Sequence, residues 1–398
     1  MNPLRVASVP VALSALLSGT AALADPRVGA IVGVRGGYST NPYSSNTGDS
    51  GSGTITGNIS PKIVFDAPAG TTQISGDITH TEFSRTYSGA TDYSVYATTK
   101  QQITPRISID GGANYSSQFR NALFPSANPN DPPGAPDDPI ILDPSGAATL
   151  AQRVRSYGGN LGASITLSPL DSLNLYAQYS AVKFKSGESQ IATSYDTTAG
   201  GFSYMRTINP TTSIGAGLNV SRSNYYHSRF GDGTQISPSF ILNTRFSARL
   251  SLNVSLGLTF SDTDLLVGSA RRTSFSGSGT LCHTGERSSF CLDGSRSISP
   301  TAISGISTVT SVGLSYRYQL SGRDSFNLGA SYSSASRIYG DFRERYDYAS
   351  GTAGYQRRLT DRLSANASVA YSDSYRTTFS RKANIWGTIG ISYRLGDI

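Results

Sequence analysis

The chain has 398 residues, of which 37% are hydrophobic and 15% charged, with 42 Gly, 23 Tyr and a formal net charge of +7. That is too little large apolar side chain for an ordinary soluble core of this size. Beyond the N-terminus nothing approaches the roughly 18 uninterrupted apolar residues of a membrane helix.

At the N-terminus, Arg5 precedes an apolar run through Val9, Val11, Ala12, Leu13, Leu16 and Leu17, which ends in Ala-Ala-Leu-Ala at Ala24. This reads as a secretory signal peptide over residues 1–24 with cleavage after Ala24. It leaves residues 25–398 as one exported domain and removes one positive charge.

From there a period of two dominates. Alternating segments fall at 29–40, 53–65, 71–82, 91–102, 106–118, 153–167, 172–184, 191–207, 212–225, 235–246 and 249–261. They resume at 305–319, 325–338, 345–357, 363–374 and 383–395. Leu250, Leu252, Val254, Leu256, Leu258 and Phe260 share one face of their segment, against Ser251, Asn253, Ser255, Gly257 and Thr259 on the other. Such alternation predicts β-strands with one apolar face. At about 12 to 15 residues they exceed the 5 to 6 of a typical soluble strand and the 9 to 11 that cross a bilayer at a tilt.

The fold class that follows is all-β: a transmembrane antiparallel up-and-down β-barrel of about sixteen strands, apolar outside and polar inside. The alternative is a periplasmic or secreted β-protein. Connections alternate between short ones (66–70, 104–105, 168–171, 209–211, 246–249, 321–324, 359–362) and longer ones, the longest at 119–152 and 263–303. Short periplasmic turns, long external loops and periplasmic termini place the barrel in a Gram-negative outer membrane. Tyr316, Tyr318, Tyr332, Tyr371 and Tyr393 fit an interfacial aromatic girdle. Inward Tyr176 and Trp386 could stack sugars or simply pack.

In the last segment Thr388, Gly390, Tyr393 and Leu395 are spaced as polar, glycine, aromatic and hydrophobic positions. The spacing resembles the signal by which outer-membrane proteins are handed to their assembly machinery, although Gly396, Asp397 and Ile398 follow it. The stretch Gly36 to Tyr43, Gly-Gly-Tyr-Ser-Thr-Asn-Pro-Tyr, resembles the Tyr-x-x-Asn-Pro element near the start of the outer-membrane β-barrel porins found with exopolysaccharide gene clusters. The resemblance implies a polymer-export or porin-like role, with polysaccharide export proteins as partners, and it names no catalytic residue.

Strand parity directs Arg245, Arg317, Arg337 and Arg394 to the lumen, with Lys100 and Arg345 by a weaker match, because a charge facing lipid at the midplane costs about 2–4 kcal/mol. A basic lumen favours anionic solutes or an acidic polysaccharide. The alternative is that these arginines pair with carboxylates or solvate the wall. The segment 119–152 carries Asp131, Asp137, Asp138, Asp143 and seven prolines. It reads as a solvated external loop with a loose affinity for divalent cations, or as an inward constriction opposing the arginines. Arg153, Arg155, Lys183 and Lys185 have lipid-facing parity at the external strand ends. There they would meet lipopolysaccharide phosphates, or else stand above the membrane.

Cys282 and Cys291 fall in the long 263–303 connection and are expected to form a disulfide. His283 lies beside them, but the spacing is not that of a metal site. The only histidines are His80, His227 and His283, and no nucleophile motif accompanies them, so no enzyme, metal or cofactor is expected. No nucleic-acid partner is expected either. The functional expectation is an outer-membrane pore for a hydrophilic cargo, associated with exopolysaccharide export. The alternatives are a general or anion-preferring diffusion porin and a non-conducting structural or surface-interaction barrel.

Overall fold

The computed structural model describes residues 26–42, 51–85, 87–120, 152–184, 193–226, 231–264, 269–301, 305–339, 342–376 and 383–396. The first six strands are β1 (Pro26–Ser39), β2 (Ser52–Ala67), β3 (Gly70–Phe83), β4 (Ala90–Thr104), β5 (Ile107–Arg120) and β6 (Gln152–Thr166). Then come β7 (Asp171–Phe184), β8 (Tyr195–Asn209), β9 (Thr212–Tyr225), β10 (Gly233–Arg245), β11 (Leu250–Asp264) and β12 (Ser269–Thr284). The last are β13 (Ser288–Thr301), β14 (Gly305–Gln319), β15 (Asp324–Tyr339), β16 (Phe342–Arg358), β17 (Leu363–Arg376) and β18 (Asn384–Gly396). Each pairs antiparallel with its sequence neighbours, and β1 also pairs with β18, so the sheet closes on itself.

The count is eighteen, not about sixteen. All sixteen expected segments are strands; the two extra ones, β12 and β13, occupy what the sequence suggested was one long external loop at 263–303. The outward positions of β12 include Arg271, Thr273, Gly277 and Gly279, which leaves Phe275 and Leu281 as its large apolar residues on that face.

Burial fixes the two faces. In β11, Leu256, Leu258 and Phe260 are exposed, whereas Thr259 and Ser261 are buried. Directly paired residues share a face, so the register carries this assignment around the barrel: Phe260 opposes Ile236 and Leu256 opposes Phe240. At the closure the outer face is again apolar, with Val28, Val34, Ile55, Ile59, Ile389 and Ile391 exposed. The inner face is hydroxyl-rich. Ser116 and Ser156 pair at 2.6 Å, Ser331 and Ser350 at 2.7 Å, and Ser368 and Thr388 at 2.8 Å.

The ladder closes around the barrel, open only along the upper part of the β12–β13 seam, so most of its exterior can face hydrocarbon. Exposed aliphatic rows outside and polar rows inside define a transmembrane β-barrel of the outer-membrane type.

The closure has its own polar knot. Asn384 at the start of β18 accepts hydrogen bonds through Oδ1 from Ser39 Oγ at 2.8 Å and the Asn41 backbone N–H at 2.8 Å. Ser39, Asn41 and Asn384 are all buried. The Tyr-x-x-Asn-Pro element thus fastens the first strand to the last.

Candidate functional site

The periplasmic mouth of the lumen is built by a repeated turn. Leu-Ser-Pro-Leu-Asp-Ser-Leu-Asn (167–174), Phe-Ser-Ala-Arg-Leu-Ser-Leu-Asn (246–253), Leu-Ser-Gly-Arg-Asp-Ser-Phe-Asn (320–327) and Leu-Thr-Asp-Arg-Leu-Ser-Ala-Asn (359–366) are variants of one pattern. In each, the Ser or Thr hydroxyl accepts two backbone N–H bonds across the turn. Ser321 Oγ, for example, takes those of Arg323 and Asp324 at 3.1 Å each. This local bonding is what Ser and Thr offer a tight reversal. The repeat was legible in the sequence as a recurring Ser/Thr-x-x-Asp/Leu-Ser-x-Asn and was missed there.

These turns set a common level. The carbonyl of the fourth residue in each accepts the N–H of a residue at or near the periplasmic end of an adjoining strand: Leu170 from Thr207, Arg249 from Thr284, Arg323 from Arg358, and Arg362 from Arg394. Equivalent bonds join Ala69 to Gln102, Arg106 to Thr166, Thr211 to Arg245, and Arg287 to Gln319. Strand alternation turns the side chains of these N–H donors inward, giving one ring of Gln102, Thr166, Thr207, Arg245, Thr284, Gln319, Arg358 and Arg394. Its cations sit on β10, β16 and β18. Two residues deeper on the same face are Lys100, beside Gln102, and Arg317, beside Gln319.

Lys100, Arg245, Arg317 and Arg394 therefore all have inward register, at the periplasmic end. Among the described residues none of these four has a carboxylate within ion-pair distance. Arg358, which sequence reasoning overlooked, donates to the Gly322 carbonyl at 2.9 Å. Arg337 has inward backbone register on β15, but its side chain lies outside the described residues. Arg35, also overlooked, is inward at mid-barrel opposite Gly390. A Cβ on Gly390 would lie 2.4 Å from Arg35 Cγ, so the glycine makes room for the arginine.

Arg345 is a correction. It opposes Ser336, shares the outer face with Tyr332, and bonds Asp347 at 2.8 Å and Tyr332 Oη at 3.1 Å. The outer face of β16 carries Asp347, Ala349, Gly351 and Ala353, with Tyr348 inward, so its two faces barely differ in polarity.

At the external rim, Arg153, Arg155 and Lys183 have outward register. Arg153 donates to the carbonyls of Thr91 at 2.7 Å and Ser117 at 3.2 Å, lacing β4, β5 and β6 together. Lys183 Nζ lies 5.2 Å from the Tyr157 ring centroid, within cation–π range. Lys185 lies outside the described residues, as do 121–151 of the acidic 119–152 segment. Nearby, the Asp196 carboxylate accepts from Tyr226 Oη, and burial, first, with that carboxylate pushes the Tyr226 phenol well up from its usual range.

The cysteines are not in an external loop. Cys282 and Cys291 form a disulfide between directly paired positions of β12 and β13, with Cα atoms 4.2 Å apart, facing the lumen near the periplasmic turn. Thr388 and Gly390 face inward on β18 while Tyr393 and Leu395 face outward. Tyr316, Tyr318, Tyr332, Tyr371 and Tyr393 are all on the outer face; Tyr176 and Trp386 are on the inner one. His80 sits outward between Thr91 Oγ1 and Glu82 Oε1, each at 2.8 Å, with half its side chain exposed. His283 also faces outward, on β12, and His227 lies outside the described residues.

No protein family and no curated protein matches the chain. Among solved structures it is similar to OccAB4 of Acinetobacter baumannii, at 9% identity and a TM-score of 0.46, covering 92% of this chain and 98% of that one. It is also similar to Pseudomonas aeruginosa OpdK, solved with vanillate, at 11% identity and a TM-score of 0.47, covering 93% and 99%. P. aeruginosa OpdL gives 10% identity and a TM-score of 0.45, covering 94% and 99%.

Proposed function

We propose that the protein is an outer-membrane diffusion porin for small hydrophilic solutes, with a preference for anions. The observation that carries this is the ring at the periplasmic mouth: Arg245 and Arg394, with Arg317 just above it, have inward register and, among the described residues, no carboxylate within ion-pair distance, whereas Lys100 directly opposes Asp110. Cations held without counter-ions along an aqueous path lower the entry cost of anions and raise that of cations. Swelling of proteoliposomes in small sugars tests conduction, and a non-conducting structural barrel would give none. Exchange of chloride for potassium as the permeant ion tests the preference.

Export of an exopolysaccharide, with polysaccharide export proteins as partners, rests on the Gly36 to Tyr43 resemblance, whose Asn41 has a structural use in closing the barrel. Loss of capsule on deletion, with solute uptake intact, would favour export over the porin reading. Residues 1–24 are assigned as a signal peptide, cleavage after Ala24 leaving Asp25 directly before β1. Thr388, Gly390, Tyr393 and Leu395 on the closing strand are assigned as the signal to the assembly machinery. Arg153, Arg155, Lys183 and Lys185 are assigned to lipopolysaccharide phosphates.

A further inference from the structure

One seam of the wall is half open. The β12–β13 ladder runs from Thr284 opposite Ser289 only up to Gly277 opposite Arg296. Above it β12 continues, paired to β11 as far as Ser269 opposite Asp264, and β13 continues, paired to β14 as far as Thr301 opposite Gly305. Among the described residues, Arg272–Ser276 of β12 thus have a ladder on one side only.

The upper ends of β13 and β14 lean from the wall into the lumen, while β14 stays paired to β15 as far as Thr308 opposite Ser336. Ile298 and Thr308 share the outer face with Leu292, Val312 and Leu314, yet Ile298 is 7% and Thr308 1% exposed against 40%, 49% and 37% for the others. Ile306, at the start of β14, packs on Val154, Val182, Tyr195 and Tyr225, which are inward residues at the external ends of β6, β7, β8 and β9. A strand five places around the barrel from β9 reaches that patch only through the interior. Gly233 permits the approach, since a Cβ there would lie 1.9 Å from Ile306 Cδ1. Below the split, the Cys282–Cys291 disulfide staples the two strands.

An unpaired strand edge beside a displaced strand of continuous register is an open invitation to pair. We propose that the upper ends of β13 and β14 have two seats and set the bore of the pore: seated on the Val154–Tyr225 patch through Ile306 they narrow the external mouth, and with Ser297–Thr301 zipped onto Arg272–Ser276 they rejoin the wall and widen it. The disulfide is the fixed end of the hinge, which stops the seam from opening further toward the periplasm. Ile306 is the residue that selects between the seats. This inference rests on the porin reading.

Continuing the register places Ser274 opposite Ser299, both inward. Ser274→Cys with Ser299→Cys locks the wall seat on oxidation, and Gly233→Cys with Ile306→Cys locks the luminal seat; single-cysteine variants control for mispairing with the native disulfide. Single-channel recordings in planar bilayers, with each cross-link verified by mass, give the readout. The wall-locked barrel is expected to conduct at least about twofold more than wild type, as a wider bore should, and the luminal lock to stay at or below the wild-type level. Failure of the Ser274–Ser299 cross-link to form in folded barrel, or its formation without a conductance change in a chain that conducts, overturns the two-seat account and leaves the porin reading standing. A chain that conducts in no form overturns both.

Discussion

Asn384 Oδ1 accepts the hydroxyl of Ser39 at 2.8 Å across the seam where the last strand meets the first. The same oxygen takes the Asn41 N–H, so one buried amide sits where the barrel closes. Removing a shared buried acceptor costs about 1–3 kcal/mol. Asn384→Ala should therefore lower the urea midpoint of unfolding from lipid vesicles and the temperature at which the folded band is lost on gels. Ser39→Ala, which removes one of the donors, should cost less. Equal stability of Asn384→Ala and wild type would show that the ladder alone closes the barrel.

The turn repeat makes a comparison within one protein. Ser321 Oγ and Ser247 Oγ each accept two N–H bonds, but the Ser321 turn also has Asp324, which accepts from Tyr355 Oη at 2.6 Å. Ser321→Ala and Ser247→Ala should each destabilise by about 1 kcal/mol. Asp324 also accepts from Ser321 Oγ at 2.6 Å, so Asp324→Ala should cost more than Tyr355→Phe, and the double variant should cost no more than Asp324→Ala alone; full additivity would contradict a direct Tyr355–Asp324 bond.

At the external rim, replacing Arg153, Arg155 and Lys183 by Gln should reduce co-purifying lipopolysaccharide by about threefold or more, since charge-assisted contacts to phosphate are lost. Arg153→Gln alone should also loosen the rim, because it ties the carbonyls of Thr91 and Ser117. Unchanged lipopolysaccharide in the triple variant would leave these residues with only their structural bonds.

Periodicity made sixteen strands readable because each puts aliphatic or aromatic residues at alternate positions facing lipid. It failed at β12, where Arg271, Thr273, Gly277 and Gly279 dilute the outer face, and β13 was absorbed with it into a supposed loop. Two missed strands turned an apparent loop disulfide into a cross-strand one. Parity assigned Arg245, Arg317 and Arg394 to the inner face but misplaced Arg345, whose strand has polar residues on both sides. Arg358 escaped because the expected segment stopped at 357, one residue short of the end of β16. The inward lean of the upper ends of β13 and β14 could not be read at all, since Ile298 and Ile306 have ordinary lipid-facing parity and only the tertiary fold turns them inward.

The central claim is that the ring at the periplasmic mouth makes this barrel an anion-preferring pore, and the reversal potential across a planar bilayer under a potassium chloride gradient tests it most directly. The account predicts a conducting wild type with a chloride-to-potassium permeability ratio above unity, and a shift toward or past unity in Arg245→Gln/Arg317→Gln/Arg394→Gln with the barrel still folded. A barrel that does not conduct, or a triple variant with unchanged selectivity, would contradict it.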